Sequence, residues 1–147
     1  MVGRTTQEEP LATEIRRVDY FYTTVRDQPG EAYKVLSALT GLGIELLAFV
    51  AIPLGSGSTQ LTLFPEDDLS FLEVGRKAGL ALEGPHPALL VQGDSDLAAL
   101  AGIHEKLFAA NVNVYAATGV ASGRSGFGYL IYVKPDDYER AATAVEI

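Results

Sequence analysis

V-R-D-Q-P-G-E-A-Y-K-V-L-S-A-L-T-G-L, residues 25–42, is the stretch on whose reading the fold turns. It leaves an apolar strand, turns at Asp27, Gln28, Pro29 and Gly30, and then carries Ala32, Val35, Leu36, Leu39 and Leu42 at the spacing of an amphipathic helix. Pro29 presets φ for a turn or a first helical residue. Asp27 offers a carboxylate to the orphan N–H groups of the helix start, and Gly30 lets backbone or ligand approach closely. The free amides of such a corner can hold a carboxylate. A plain capped turn accounts for the same four residues, because D-x-P-G tetrapeptides are common turn formers.

Upstream, residues 16–26 are rich in aromatic and β-branched side chains. They predict a strand with Val18, Tyr20, Tyr22 and Thr24 on one face and Phe21, Thr23 and Val25 on the other, toward the helices. Downstream, Gly41 and Gly43 stop the helix before a second strand at 44–53. Gly55-Ser56-Gly57-Ser58 then reads as a hairpin turn into a returning strand at 59–64. A phosphate loop would enter a helix, and this glycine turn enters T-Q-L-T-L-F instead. Pro65-Glu66-Asp67-Asp68 opens a second helix, ending at Gly79, with Leu69, Leu72 and Val74 expected inside. The adjacent carboxylates Asp67 and Asp68 point in different directions on a helix, which favours capping over acid/base or metal chemistry. Residues 80–83 read as a short closing strand, and Gly84-Pro85-His86-Pro87 as an extended linker with His86 solvated.

The order strand, D-x-P-G corner, helix, G-L-G-I-E-L-L-A-F-V (41–50), glycine turn, T-Q-L-T-L-F (59–64) resembles the ACT domain, a small regulatory module that commonly binds amino acids. The resemblance covers about residues 17–83. Beyond the linker the pattern restarts. A strand at 88–93 leads to Asp94-Ser95-Asp96, which caps a helix with Leu97, Leu100, Ile103, Leu107 and Phe108 turned inward. Asn111-Val112-Asn113-Val114-Tyr115 stands against Gly43-Ile44-Glu45-Leu46-Leu47 at an offset of 68, and Asp136 against Asp67 at 69. The second glycine turn, 122–126, precedes F-G-Y-L-I-Y-V. The correspondence lies in order, polarity and turn position rather than identity. The second copy lacks the D-x-P-G corner, since Ser95, Leu97 and Ala98 stand where the first has Asp27, Pro29 and Gly30.

The expected organisation is a loosely ordered tail at 1–14, an ACT-like domain at 15–83, a linker at 84–87 and a second ACT-like domain at 88–147. The expected fold is α+β, two tandem ferredoxin-like β-α-β-β-α-β units whose antiparallel sheets carry helices on one face. Open sheet edges favour pairing, so a homodimer is expected.

Composition bounds the function. A chain of 147 residues suits one ordinary domain or two very small ones sharing a core. The net charge of -8 opposes nucleic acid and anionic membranes. No apolar run reaches the roughly 20 residues of a membrane helix, and nothing at the start resembles a secretory signal. The default location is the cytoplasm. Without cysteine, thiolate chemistry and disulfides are excluded.

An α-amino acid needs N–H donors for its carboxylate, an acceptor for its ammonium and a shaped wall. The resemblance places effectors where the first strand–helix loop packs beside the second strand of a neighbouring copy. That nominates Asp27, Gln28, Pro29 and Gly30, with Asn111 and Asn113 as polar partners from the other copy. Asn111 can equally end a helix through its tolerance of left-handed φ. His104 and His86 lack the second ligand a metal site requires, and no nucleophile, catalytic residue, metal or cofactor is expected. The reading is a stand-alone regulatory protein that senses an amino acid or similar small metabolite. The alternatives are an interaction or oligomerisation module without ligand and, third, a small ferredoxin-like enzyme with His86 or His104 beside a carboxylate.

Overall fold

The computed structural model describes residues 13–94, 99–122 and 126–147. The expected tail up to residue 12, the capping residues Ser95 and Asp96 with Leu97 and Ala98, and residues 123–125 of the second glycine turn lie outside the described residues. In chain order the elements are β1 (Glu14–Arg26), α1 (Glu31–Gly41), β2 (Leu46–Gly55), β3 (Ser58–Pro65), α2 (Asp68–Lys77), β4 (Glu83–Gly93), α3 (Leu100–Ala109), β5 (Val114–Ala121), β6 (Phe127–Val133), a 3-10 turn (Pro135–Asp137) and α4 (Tyr138–Ala144). The fold is α+β, with the described strands in the order β2-β3-β1-β4-β6-β5. One compact unit comprises Asp19–His86, and the other comprises Pro87–Ile147 with the described residues up to Val18.

In the unit 19–86, β3 pairs antiparallel with β1, Phe21 opposite Leu63, and with β2, Phe49 opposite Leu63. The period-2 alternation of β1 puts Phe21 and Thr23 inside, as expected. Phe21 joins Leu61 and Leu63 of β3, Val35 and Leu39 of α1, and Phe71 of α2 in one core. Helix α2 departs from expectation. Its buried residues are Phe71 and Gly75; Leu72 packs partly buried against the same core, as expected, whereas Leu69 is exposed. With Asp67 as N-cap, helical rotation carries Phe71 and Gly75, four apart, onto the sheet and leaves Leu69 outside.

The unit 87–147 repeats the plan, with β6 between β4 and β5, Leu89 opposite Ile131 and Ala117 opposite Ile131. Leu100, Ile103 and Leu107 of α3 pack on Leu89, Val91, Ile131 and Val133. Phe108, expected inside, is 82% exposed because it follows the buried Leu107 by one residue, about 100° round the helix. Arg17 at the start of β1 forms a double contact with Glu139 of α4, at 2.8 and 3.1 Å.

The duplication is visible at the level of single hydrogen bonds. At the end of α1, Gly43 N–H donates to Thr40 and Ile44 N–H to Leu39; at the end of α3, Asn111 N–H donates to Phe108 and Val112 N–H to Leu107. Each pair is a Schellman ending that needs a left-handed residue, supplied by Gly43 at φ 80° and Asn111 at φ 60°. Both second strands also bulge at matching places, between Leu46 and Ala48 and between Val114 and Ala116.

Residues 84–87, expected as a linker after a closing strand at 80–83, belong to the first half of the single strand β4. Pro85 and Pro87 do enforce an extended backbone. They sit before the ladder with β6 begins at Leu89, so their missing N–H groups interrupt none of its bonds.

Candidate functional site

The corner between β1 and α1 is built by backbone geometry. Asp27 N–H donates to Gly57 of the neighbouring hairpin turn at 2.8 Å, and Gln28 N–H donates to Arg26 at 2.9 Å. Gly30 is the N-cap of α1 in a left-handed conformation, φ 90° and ψ -11°, which a side chain would strain. Asp27 was expected to cap the helix, but no side chain caps α1. Three residues separate Asp27 from the first helical residue, Glu31, and its own N–H is tied back to the hairpin. Asp27, Gln28, Pro29 and Gly30 are all exposed.

Two groups that sequence reading missed complete the corner. The Glu31 carboxylate, only 18% exposed, accepts from Gln28 Nε2 at 3.1 Å and from Lys34 Nζ at 3.3 Å. The hydrogen bond from Gln28, then that from Lys34, hold its carboxyl below the usual range. The i,i+3 spacing of Glu31 and Lys34 at the start of the helix, with Gln28 in the turn before it, was the available signal. The corner therefore already carries donors, an acceptor and an anion at a helix N-terminus, where the dipole favours negative charge.

The other two nominated residues stand together in the other unit. Asn111 is exposed, and its left-handed φ ends α3 while its carbonyl accepts from Arg140 Nη2 at 3.1 Å. Asn113 is exposed just before β5. The four corner residues are thus contiguous in one unit and the two asparagines in the other.

Both histidines have aromatic surroundings. His86, expected solvated, is half-buried. Its ring lies 5.3 Å from Tyr22, stacked, and 5.2 Å from Tyr20, and its Nε2 is buried without a partner among the described residues. Tyr22 in turn hydrogen-bonds Glu83, which raises its hydroxyl pKa. His104 Nε2 lies 2.8 Å from the Tyr129 hydroxyl.

The carboxylates at the start of α2 divide their work. Asp67 caps the helix, accepting from Leu69 N–H at 3.1 Å and Ser70 N–H at 3.4 Å. Asp68 instead meets Asp19 of β1. Burial, then a hydrogen bond and repulsion from Asp19, push the Asp68 carboxyl up to about 6. A carboxyl whose folded pKa lies above its unfolded value of 3.8 stabilises the fold fully below that value and loses this contribution as pH rises through about 6. Asp19→Asn leaves the burial of Asp68 in place and is therefore expected to reduce, by less than about 1 kcal/mol because solvent screens the pair, the downward step in stability between pH 4 and pH 7 in urea titrations. An unchanged pH profile would mean that the two carboxyls do not share a proton.

No family model matches this sequence, and no curated protein matches it either. Solved structures do. A protein from Bacteroides thetaiotaomicron superposes with a TM-score of 0.73 at 13% identity, over 91% of this chain and 88% of that one. The regulatory subunit of aspartate kinase from Thermus thermophilus, in ligand-free form, gives 0.60 at 18% identity over 93% and 97%. A putative C-terminal regulatory domain of aspartate kinase from Porphyromonas gingivalis W83 gives 0.53 at 12% identity over 91% and 94%. The architecture is that of ferredoxin-like α+β units, the fold shared with these aspartate kinase regulatory domains.

Proposed function

We propose that this chain is a regulatory protein, non-catalytic and cytoplasmic, that binds an amino acid at an ACT–ACT interface of a homodimer. Two ACT-like domains, 15–83 and 88–147, form the working unit. Asp27, Gln28, Pro29 and Gly30 provide the corner, and Asn111 and Asn113 of an adjoining copy provide amide side chains. The observation that carries this reading is the left-handed Gly30 corner, whose helix start lacks a side-chain cap. Its backbone donors suit a ligand carboxylate, while Asp27 supplies an acceptor for an ammonium group. The regulatory character of the aspartate kinase neighbours supports a regulatory, non-catalytic role. Neither histidine is given a carboxylate partner by its described contacts, which are to tyrosines.

A thermal-shift screen of the amino acids tests the proposal. A ligand at 100 times its dissociation constant adds about 2.7 kcal/mol of stability. Asn111→Gly keeps the left-handed helix ending, so it is expected to preserve the fold while weakening the response. No stabilisation by any amino acid would reject the reading. It would favour the second one, an oligomerisation module without ligand, which has its own support. The strands β2 and β5 carry no charged residue, and Ile52, Leu54 and Val120 on them are exposed. Light scattering would then report a dimer that no amino acid perturbs.

A further inference from the structure

Within the unit 87–147, the first turns of α3, the end of α4 and the start of β1 enclose a groove of about 370 Å³, within the roughly 300–1,000 Å³ typical of small-molecule sites. Its walls include Ile15, Ile103 and Val145, and Gly102 opens onto it. A Cβ added at Gly102 would meet no atom within 4 Å. Lys106 and Glu146 also line it, joined at 3.3 Å with side chains 54% and 77% exposed.

Glu146 has a left-handed backbone, φ 69°, at the helix ending where the other unit has Gly79 at φ 78°. Glycine adopts this conformation without strain and glutamate does not. The chain thus keeps a strained carboxylate beside Lys106, although an exposed ion pair adds little to stability. Stability alone does not explain the choice. An ion pair at the edge of an apolar groove is the electrostatic complement of a zwitterion. A ligand carboxylate would replace Glu146 at Lys106 and a ligand ammonium would replace Lys106 at Glu146, so no charge is left unpaired.

We propose that this groove is a second small-molecule site, distinct from the corner, for a zwitterion with a branched apolar side chain, the chemistry of L-valine, L-leucine and L-isoleucine. The two charges anchor the ligand at the Lys106–Glu146 edge, and its side chain lies on Ile15, Ile103 and Val145.

The test is titration of the full, isotope-labelled chain with these three amino acids, followed by amide NMR. Perturbations at Gly102, Ile103, Lys106 and Glu146 are expected. Gly102→Leu, whose Cβ enters open space and whose side chain occupies the groove, is expected to weaken binding at least about tenfold without lowering the thermal midpoint. Isocaproate and isopentylamine each lack one of the two charges of leucine, and each is expected to bind at least about tenfold more weakly. Silence at these amides with all three amino acids would overturn the proposal. So would leucine binding that survives Gly102→Leu, or equal binding of the singly charged analogues. Perturbations confined to residues 27–31, 111 and 113 would sustain the corner and remove the groove.

Discussion

Truncation of Phe71 to alanine is expected to destabilise the protein by about 4 kcal/mol, the middle of the range for removing a buried aromatic ring. Phe71 is fully buried, and its ring centroid lies 5.1 Å from that of Phe21, tilted by 44°. It is the side chain through which α2 enters the core of the unit 19–86, together with Leu39, Leu61 and Leu63. Its removal leaves a cavity between a helix and a sheet, where neither layer can close without breaking backbone hydrogen bonds. The thermal midpoint should fall by about 10 °C in a chain of this size. Leu69→Ala is the matched control, since Leu69 lies on the same helix but is 81% exposed, and it should change stability by less than about 0.5 kcal/mol. Equal effects from the two substitutions would show that the phase of α2 is wrong.

Gly84→Ala is expected to cost about 3 kcal/mol, a large effect for adding one methyl group. Gly84 has φ 146°, and an added Cβ would stand 2.8 Å from the Tyr20 carbonyl oxygen and 2.8 Å from Phe21 Cδ2. The Phe21 ring can tilt, but the Tyr20 carbonyl belongs to the backbone of β1 and cannot move without disturbing the strand. Gly43→Ala separates backbone strain from collision. It has a similarly unfavourable φ of 80° with no atom within 4 Å of the new Cβ, and should cost only about 1 kcal/mol. Urea midpoints for the two variants provide the comparison. If Gly84→Ala is no worse than Gly43→Ala, β1 and β4 do not approach as closely as described.

Local regularities carried much of the fold in the sequence. The alternation of residues 18–25, the 3.6-residue spacing after Gly30 and the left-handed residues at helix ends each depend on neighbours a few positions away. The offset of 68 proved equally legible, because a duplicated chain repeats its hydrogen bonds. Gly43 and Asn111 end their helices with the same pair of bonds. The same comparison assigns Asn111 the helix-ending duty that an asparagine's tolerance of left-handed φ allows. Helix phase was less legible. Leu69 and Phe108 read as inward because both are apolar, but one residue of rotation decides the outcome, and only the observed cap and core define it.

The amino-acid sequence by itself determined the order of strands and helices apart from the separate closing strand expected at 80–83, the strand–helix corner at residues 27–30 and the internal repeat, since sterics and hydrophobic periodicity act over short separations. The tertiary structure alone decided that residues 84–87 lie within a strand, that His86 rests against Tyr20 and Tyr22, that Asp68 meets Asp19, and that Lys106 meets Glu146. Each of those outcomes joins residues far apart along the chain. Such contacts form only when whole elements pack, and no local propensity encodes the partner.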